Sequence, residues 1–320
     1  MKKRQLILAL SALFLSFTVK AQNVSTFPSK PLRLVVGFPA GGGADVMTRI
    51  IAEGLAKQLG QQVVVDNKPG AEGLIAATEV QRAVPDGHVF LMGTNTTMVA
   101  LPSLRPNPPF DPFKDFTPIS SAGEFSYFLL VQPSLPVKNV KEFLDHVAAN
   151  PGKFNSASSN SAAELAMLRI LDKRKVVNIR YKGDPAALVD MVGGHIHMII
   201  ATGTNAPSFV KDGRARALLT LQDERSALLP DVPTAKELGM NNLTIRPWAG
   251  FFGPAGMPAP IAGKLSNALQ MALASPEVRE KLAQQGFMGY GLNPDKFATY
   301  FKAQYDGFNQ VVREYNIKFE

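Results

Sequence analysis

The chain has 320 residues, 24 prolines, no cysteine and a formal net charge of +8. That length suits two domains of ordinary size. The absence of cysteine excludes disulfides and a thiol nucleophile, so stability rests on core burial. The basic residues are scattered singly among acids and prolines, which excludes a nucleic-acid patch.

The first residues read as an export leader. Lys2-Lys3-Arg4 is a charged start, Leu6 to Val19 an apolar run, and Val19-Lys20-Ala21 a small-residue cleavage site. The apolar run falls short of the ~20 residues of a comfortable membrane span. The mature chain is therefore expected outside the cytoplasm, cleaved near Ala21 and starting near Gln22. Removing residues 1–21 takes away Lys2, Lys3, Arg4 and Lys20 and no acid, so the formal charge falls from +8 to +4. No later stretch is long and apolar enough to span a bilayer, so a soluble protein is expected.

Residues 22–30 read as a polar linker. Leu32-Arg33-Leu34-Val35-Val36 is a strand. Val46, Ile50, Ile51, Leu55 and Leu59 form one helical stripe, predicting a helix over 46–59 that stops at Gly60. Between them lies Phe38-Pro39-Ala40-Gly41-Gly42-Gly43-Ala44-Asp45. Consecutive glycines free the backbone for φ > 0 and clear side chains from the loop surface. The helix start adds unpaired N–H groups and about half a positive charge. Together they make an anion receptor out of backbone. The loop has neither Gly-x-x-x-x-Gly-Lys-Ser/Thr nor Gly-x-Gly-x-x-Gly, which argues against a nucleotide. Asp45 reads as the helix N-cap, with direct ligand contact as the alternative.

A strand over 62–66, a turn-rich loop to Gly73, a helix over 74–83, a turn at 85–87 and a strand over 89–93 follow. This alternation predicts a parallel sheet covered on both faces, with ligands at the carboxyl ends of its strands. Thr94-Asn95-Thr96-Thr97 sits at such an end. Residues 102–118 read as loop. A second unit of the same style begins with a strand over 127–131 and a helix over 140–149. A Ser/Asn-rich loop, Phe154 to Ser161, leads into a helix over 162–173, with Ser161 and Glu164 at capping-box spacing. Strands over 176–181, 195–200 and 215–220 alternate with helices over 186–192 and 206–211. The last third carries helices over 260–273 and 276–285 and a final helix opened by Asn293-Pro294. Its aromatic stripe, Phe297, Tyr300, Phe301 and Phe308, reads as a core face. Trp248 reads as hinge packing or, with Phe38 and Phe125, as an aromatic wall of a cleft.

Catalytic signals are weak. There is no Gly-x-Ser-x-Gly elbow. His195 and His197 share one face of a predicted strand, without a third ligand nearby, so no metal and no cofactor are expected. Lys182 reads as part of a turn or as positive charge at a cleft rim.

Several blocks together resemble the Bug family, the extracytoplasmic receptors of tripartite tricarboxylate transporters. They are Phe27 to Val36 with Phe38 to Asp45, Val63 to Ala71, Pro85-Asp86-Gly87, Tyr181-Lys182-Gly183, Gly193-Gly194, Leu229 to Thr234 and Phe252 to Pro258. The resemblance implies an α/β fold of the type II periplasmic binding-protein (Venus flytrap) class. Two doubly wound α/β domains are joined by two crossovers, with residues 22–123 and 248–320 in one domain and 124–247 in the other. It implies capture of a small organic carboxylate by a monomer that serves membrane transporter subunits. A receptor feeding a membrane sensor, or a hydrolase on the same scaffold, stays open as an alternative. The carried-over contacts are Phe38, Pro39, Ala40, Gly41, Gly42, Gly43, Ala44 and Asp45, holding the carboxylate largely through backbone groups and two bridging waters. Ser158, Ser159, Asn160 and Ser161 face them from the second domain, Thr94, Asn95, Thr96 and Thr97 form a third segment, and Ala201 and Thr202 a fourth. Many relatives carry an acid where this chain has Ala201. Its loss predicts a ligand without a positive group, a dicarboxylate or an aromatic carboxylate.

Overall fold

The computed structural model describes residues 26–105, 107–181, 183–240, 243, 246–315 and 317. The expected leader and Lys182 lie outside the described residues.

The chain opens with β1 (Leu32–Val36), α1 (Gly43–Leu59), β2 (Val63–Asn67), α2 (Leu74–Gln81) and β3 (Val89–Thr94). β1 pairs in parallel with both β2 and β3. Leu34 and Val36 pack with α1 on one face of the sheet, and Val35 packs with α2 on the other. A strand covered on both faces is apolar along its length, which made it readable. α1 closes at Gly60, whose φ of 65° lets its N–H reach the Ala56 carbonyl. A π-helical run at Thr96–Ala100 continues into a helical turn at 101–103.

β4 (Phe116–Phe125) leads into β5 (Tyr127–Val131), α3 (Val140–Ala149), β6 (Asn155–Ser158), α4 (Ser161–Leu171), β7 (Val177–Arg180), α5 (Asp184–Val192), β8 (Met198–Thr202), α6 (Ala206–Lys211) and β9 (Arg216–Thr220). β5 to β9 form a second sheet in the order β7-β6-β8-β5-β9. The chain then returns through β10 (Trp248–Pro254), α7 (Ala259–Ala274), α8 (Pro276–Gln284), β11 (Phe287–Gly289) and α9 (Pro294–Glu314). The first sheet is ordered β11-β4-β10-β3-β1-β2.

The first sheet is mixed rather than parallel, because β10 runs antiparallel to both β3 and β4. β4 and β10 lie where the residues look least like strands. β4 carries Pro118, Ser120, Ser121 and Gly123, and β10 carries Gly250 and Gly253. Both are buried in the middle of the sheet. A side chain at Gly250 would lie 2.2 Å from the Phe297 ring, so this glycine makes room for the aromatic face of α9. That face is the core stripe expected of Phe297, Phe301 and Phe308. The Ser/Asn segment before α4 is likewise a strand, β6, set beside β7 and β8 in parallel. The strand expected from His195 begins instead at Met198.

Two connections join the lobes, one at Phe125-Ser126-Tyr127 and one from β9 to β10. The first is stapled by backbone hydrogen bonds: Ser126 N–H donates to Gly286 and Gly203 N–H donates to Ser126, each at 2.7 Å. α4 also spans the lobes. Its Ala162 and Leu165 pack with Val99, Trp248 and Phe297 of the first lobe. Arg169 pairs with Glu314 at 2.6 Å. No described helix is long and apolar enough to cross a membrane.

Candidate functional site

A cavity of about 450 Å³ lies between the lobes. Of the residues read from sequence, Phe38, Gly41, Gly42, Gly43, Ala44, Thr94, Asn95, Thr96, Ser159, Asn160 and Thr202 line it. Phe125 and Trp248, also read from sequence as an aromatic wall, line it at the crossovers beside Tyr127 and Pro247.

The first lobe contributes backbone. α1 starts at Gly43, earlier than the apolar stripe indicated, with Gly42 as N-cap and no side-chain cap bond. The first intrahelical bond runs from Val46 N–H to the Gly42 carbonyl. Gly43 and Ala44 therefore carry N–H groups without helical partners, and both residues line the cavity. Asp45 is not the N-cap. It lies inside the first turn, 2% exposed, and its carboxylate folds back to accept from Gly41 N–H at 2.8 Å. It also accepts from Arg49 at 3.0 Å and from Asn67 at 2.9 Å. Burial pushes the Asp45 pKa up, but the bonds from Arg49, Gly41 and Asn67 outweigh it and hold the group below its ordinary value. Asp45 thus braces the loop. Pro39 and Ala40 are exposed and do not line the cavity.

Asn95 sits at the turn from β3 into the π-helical run, 2% exposed. Among the described residues neither its Oδ1 nor its Nδ2 has a hydrogen-bond partner. The Nε1 of Trp248, 1% exposed, likewise has no partner among them. Buried polar atoms are normally satisfied, so unpaired ones on two residues that line the cavity stand out. Thr97 turns away to donate to the Glu72 carbonyl at 3.0 Å.

The second lobe contributes side chains. The capping box expected of Ser161 and Glu164 does not form. Asn160 is the cap, its side chain accepting from Ala163 N–H at 2.9 Å. Glu164 instead pairs with Arg180 at 2.9 Å. Ser161 reaches across the cleft to donate to Glu72 of the first lobe at 3.1 Å. Ser158 accepts from Asn178 at 3.0 Å, away from the cavity wall. The Tyr127 hydroxyl accepts from Asn160 at 3.0 Å. Burial, then the charge of Asp184, pushes the Tyr127 phenol well above its usual range, so it keeps its proton as a donor.

Ala201 belongs to the core rather than the cavity, packed with Phe128, Leu130 and Leu188. The cavity nevertheless carries an acid from another element. Asp184, at the start of α5, lines the cavity and is 4% exposed. Its Oδ1 accepts from the Ser159 hydroxyl. Its Oδ2 accepts from the N–H and the hydroxyl of Thr202, each at 2.7 Å. Tyr127 and Asp184 were not legible as site residues. An acid ahead of a proline reads as an ordinary helix start, and no spacing links it to Thr202.

His195 and His197 lie just before β8, and His197 Nδ1 accepts from Asn155 N–H at 3.0 Å. Among the described residues no group of three His, Asp or Glu side chains is placed to hold a metal.

A backbone anion receptor on one lobe, facing polar side chains on another across a lined cavity, is the arrangement of an interdomain solute-binding receptor. The chain belongs to the tripartite tricarboxylate transporter receptor family, whose sequence profile matches residues 47–317. This is a family of solute receptors, not of enzymes. Protein BugT of Bordetella pertussis is 30% identical over 319 residues, covering 98% of each chain. Three solved structures are similar. The periplasmic binding protein BugD is 30% identical, with a TM-score of 0.77, over 92% of this chain and 100% of that one. MatC (Rpa3494) of Rhodopseudomonas palustris with bound malate is 31% identical, with a TM-score of 0.74, over 89% and 100%. Rpa4515 of R. palustris with adipate is 26% identical, with a TM-score of 0.78, over 90% and 97%.

Proposed function

We propose that this chain is an exported periplasmic receptor that closes around a small dicarboxylate and delivers it to the membrane subunits of a tripartite transporter. The observation that carries the reading is a bare helix start, Gly43 and Ala44 without a side-chain cap, lining the cavity between the lobes. A second donor set, Trp248 Nε1 and Asn95 Nδ2, gives a further carboxylate a place on the same cavity wall. Two relatives of the same fold were solved with malate and with adipate, which supports the class.

In this reading the mature protein starts near Gln22 and acts as a monomer. Residues 22–123 with 248–320 form one moving unit and residues 124–247 the other. The ligand carboxylate sits on the loop from Phe38 to Asp45, and closure follows because the ligand binds both lobes better when they meet. Hydrogen bonds to a charged group contribute about 1.5–3 kcal/mol each, so several of them, offset by association costs, give affinity in the micromolar range, about −8 kcal/mol.

Thermal unfolding of the mature chain with succinate, malate, adipate and benzoate tests this. A dicarboxylate at about 100 times its dissociation constant is expected to stabilise the protein by about 2.7 kcal/mol. No shift with any carboxylate, or chemical consumption of one, contradicts the reading.

A further inference from the structure

We infer that Asp184 selects ligands carrying a hydrogen-bond donor, a hydroxyl or an ammonium, beside the carboxylate. This rests on the dicarboxylate reading above and deepens it. Asp184 lines the cavity and is 4% exposed, and no cation pairs with it among the described residues. A buried charge without a partner is costly. An ionised carboxylate offers about four acceptor positions. The protein fills three of them, through Ser159 and the two donors of Thr202. The remaining position belongs to a group that enters the cavity.

The two jaws then have opposite polarity. Gly43 and Ala44 donate, and Asp184 accepts. The jaws are close, since a side chain on Gly43 would lie 3.0 Å from the Thr204 hydroxyl at the tip of the β8 turn. A ligand with acceptors alone, such as succinate, sets a carboxylate toward the Asp184 charge. A ligand of the same skeleton with a hydroxyl or an ammonium turns that repulsion into a charge-assisted hydrogen bond. The acid absent at 201 is in effect supplied from the start of α5, held against Thr202, the next residue along β8.

Asp184 also ties α5 to β8, so a purely structural role has to be separated by ligand ranking. Calorimetry with succinate, malate and aspartate on the mature chain does this, because the three share one carbon skeleton. The expected result is that malate or aspartate binds about tenfold or more tighter than succinate. Which of the two leads tells hydroxyl from ammonium. In Asp184→Asn the advantage is expected to fall to within about threefold, while succinate holds or gains affinity. Equal binding of all three by the unaltered chain overturns the inference and leaves the dicarboxylate reading standing. An Asp184→Asn variant that weakens all three equally overturns it too. If the variant does not fold, the ranking on the unaltered chain decides alone. No binding of any of the three sinks both readings.

Discussion

The two jaws of the cleft recognise in different currencies. The first uses backbone: a glycine loop, a bare helix start and a carboxylate, Asp45, spent on bracing them. The second uses side chains: Ser159, Asn160, Tyr127 and Asp184 tied into one network. Backbone recognition of a carboxylate tolerates any remainder of the ligand. Side-chain recognition can be changed one residue at a time. In the proposed reading the first jaw sets the ligand class and the second the particular ligand.

The sharpest way to break this comparison is to spoil the backbone jaw. Gly43→Val puts a branched side chain against Thr204, where the jaws meet. Gly43 has no positive φ, so the fold is expected to survive. Affinity for every dicarboxylate is expected to fall by about 100-fold or more, as two charge-assisted bonds and closure are lost together. Retained affinity by calorimetry, with an unchanged melting temperature, would remove α1 from the anion site.

A smaller effect is expected at the seam between the jaws. Asn95→Ala removes an amide that has no hydrogen-bond partner among the described residues. Melting temperature without ligand is therefore expected to stay level or rise, while affinity falls about tenfold. A large loss of stability without ligand would show that Asn95 is structural.

Legibility followed the same division. The glycine loop was readable because a strand, consecutive glycines and a helical stripe leave few alternatives. Continuous apolar strands such as β1 and β5, and the amphipathic α3, were placed residue by residue for the same reason. β4 and β10 were missed because their strand character comes from the sheet that surrounds them, not from Ser120, Ser121 or Gly250. β6 hid behind its serines in the same way. Ala201 is a poor reporter because one strand position does not reveal the charges that other elements bring to a cleft. It points to the core, while Asp184, distant in sequence, brings a carboxylate to the neighbouring Thr202.

The central claim is that one lobe grips the carboxylate through backbone while the other reads the rest. A crystal structure of the mature chain with malate tests it most directly. The account predicts one malate carboxylate within hydrogen-bond distance of the Gly43 and Ala44 N–H groups, with the hydroxyl donating to Asp184. A carboxylate bound elsewhere, with the start of α1 facing only solvent, would contradict it.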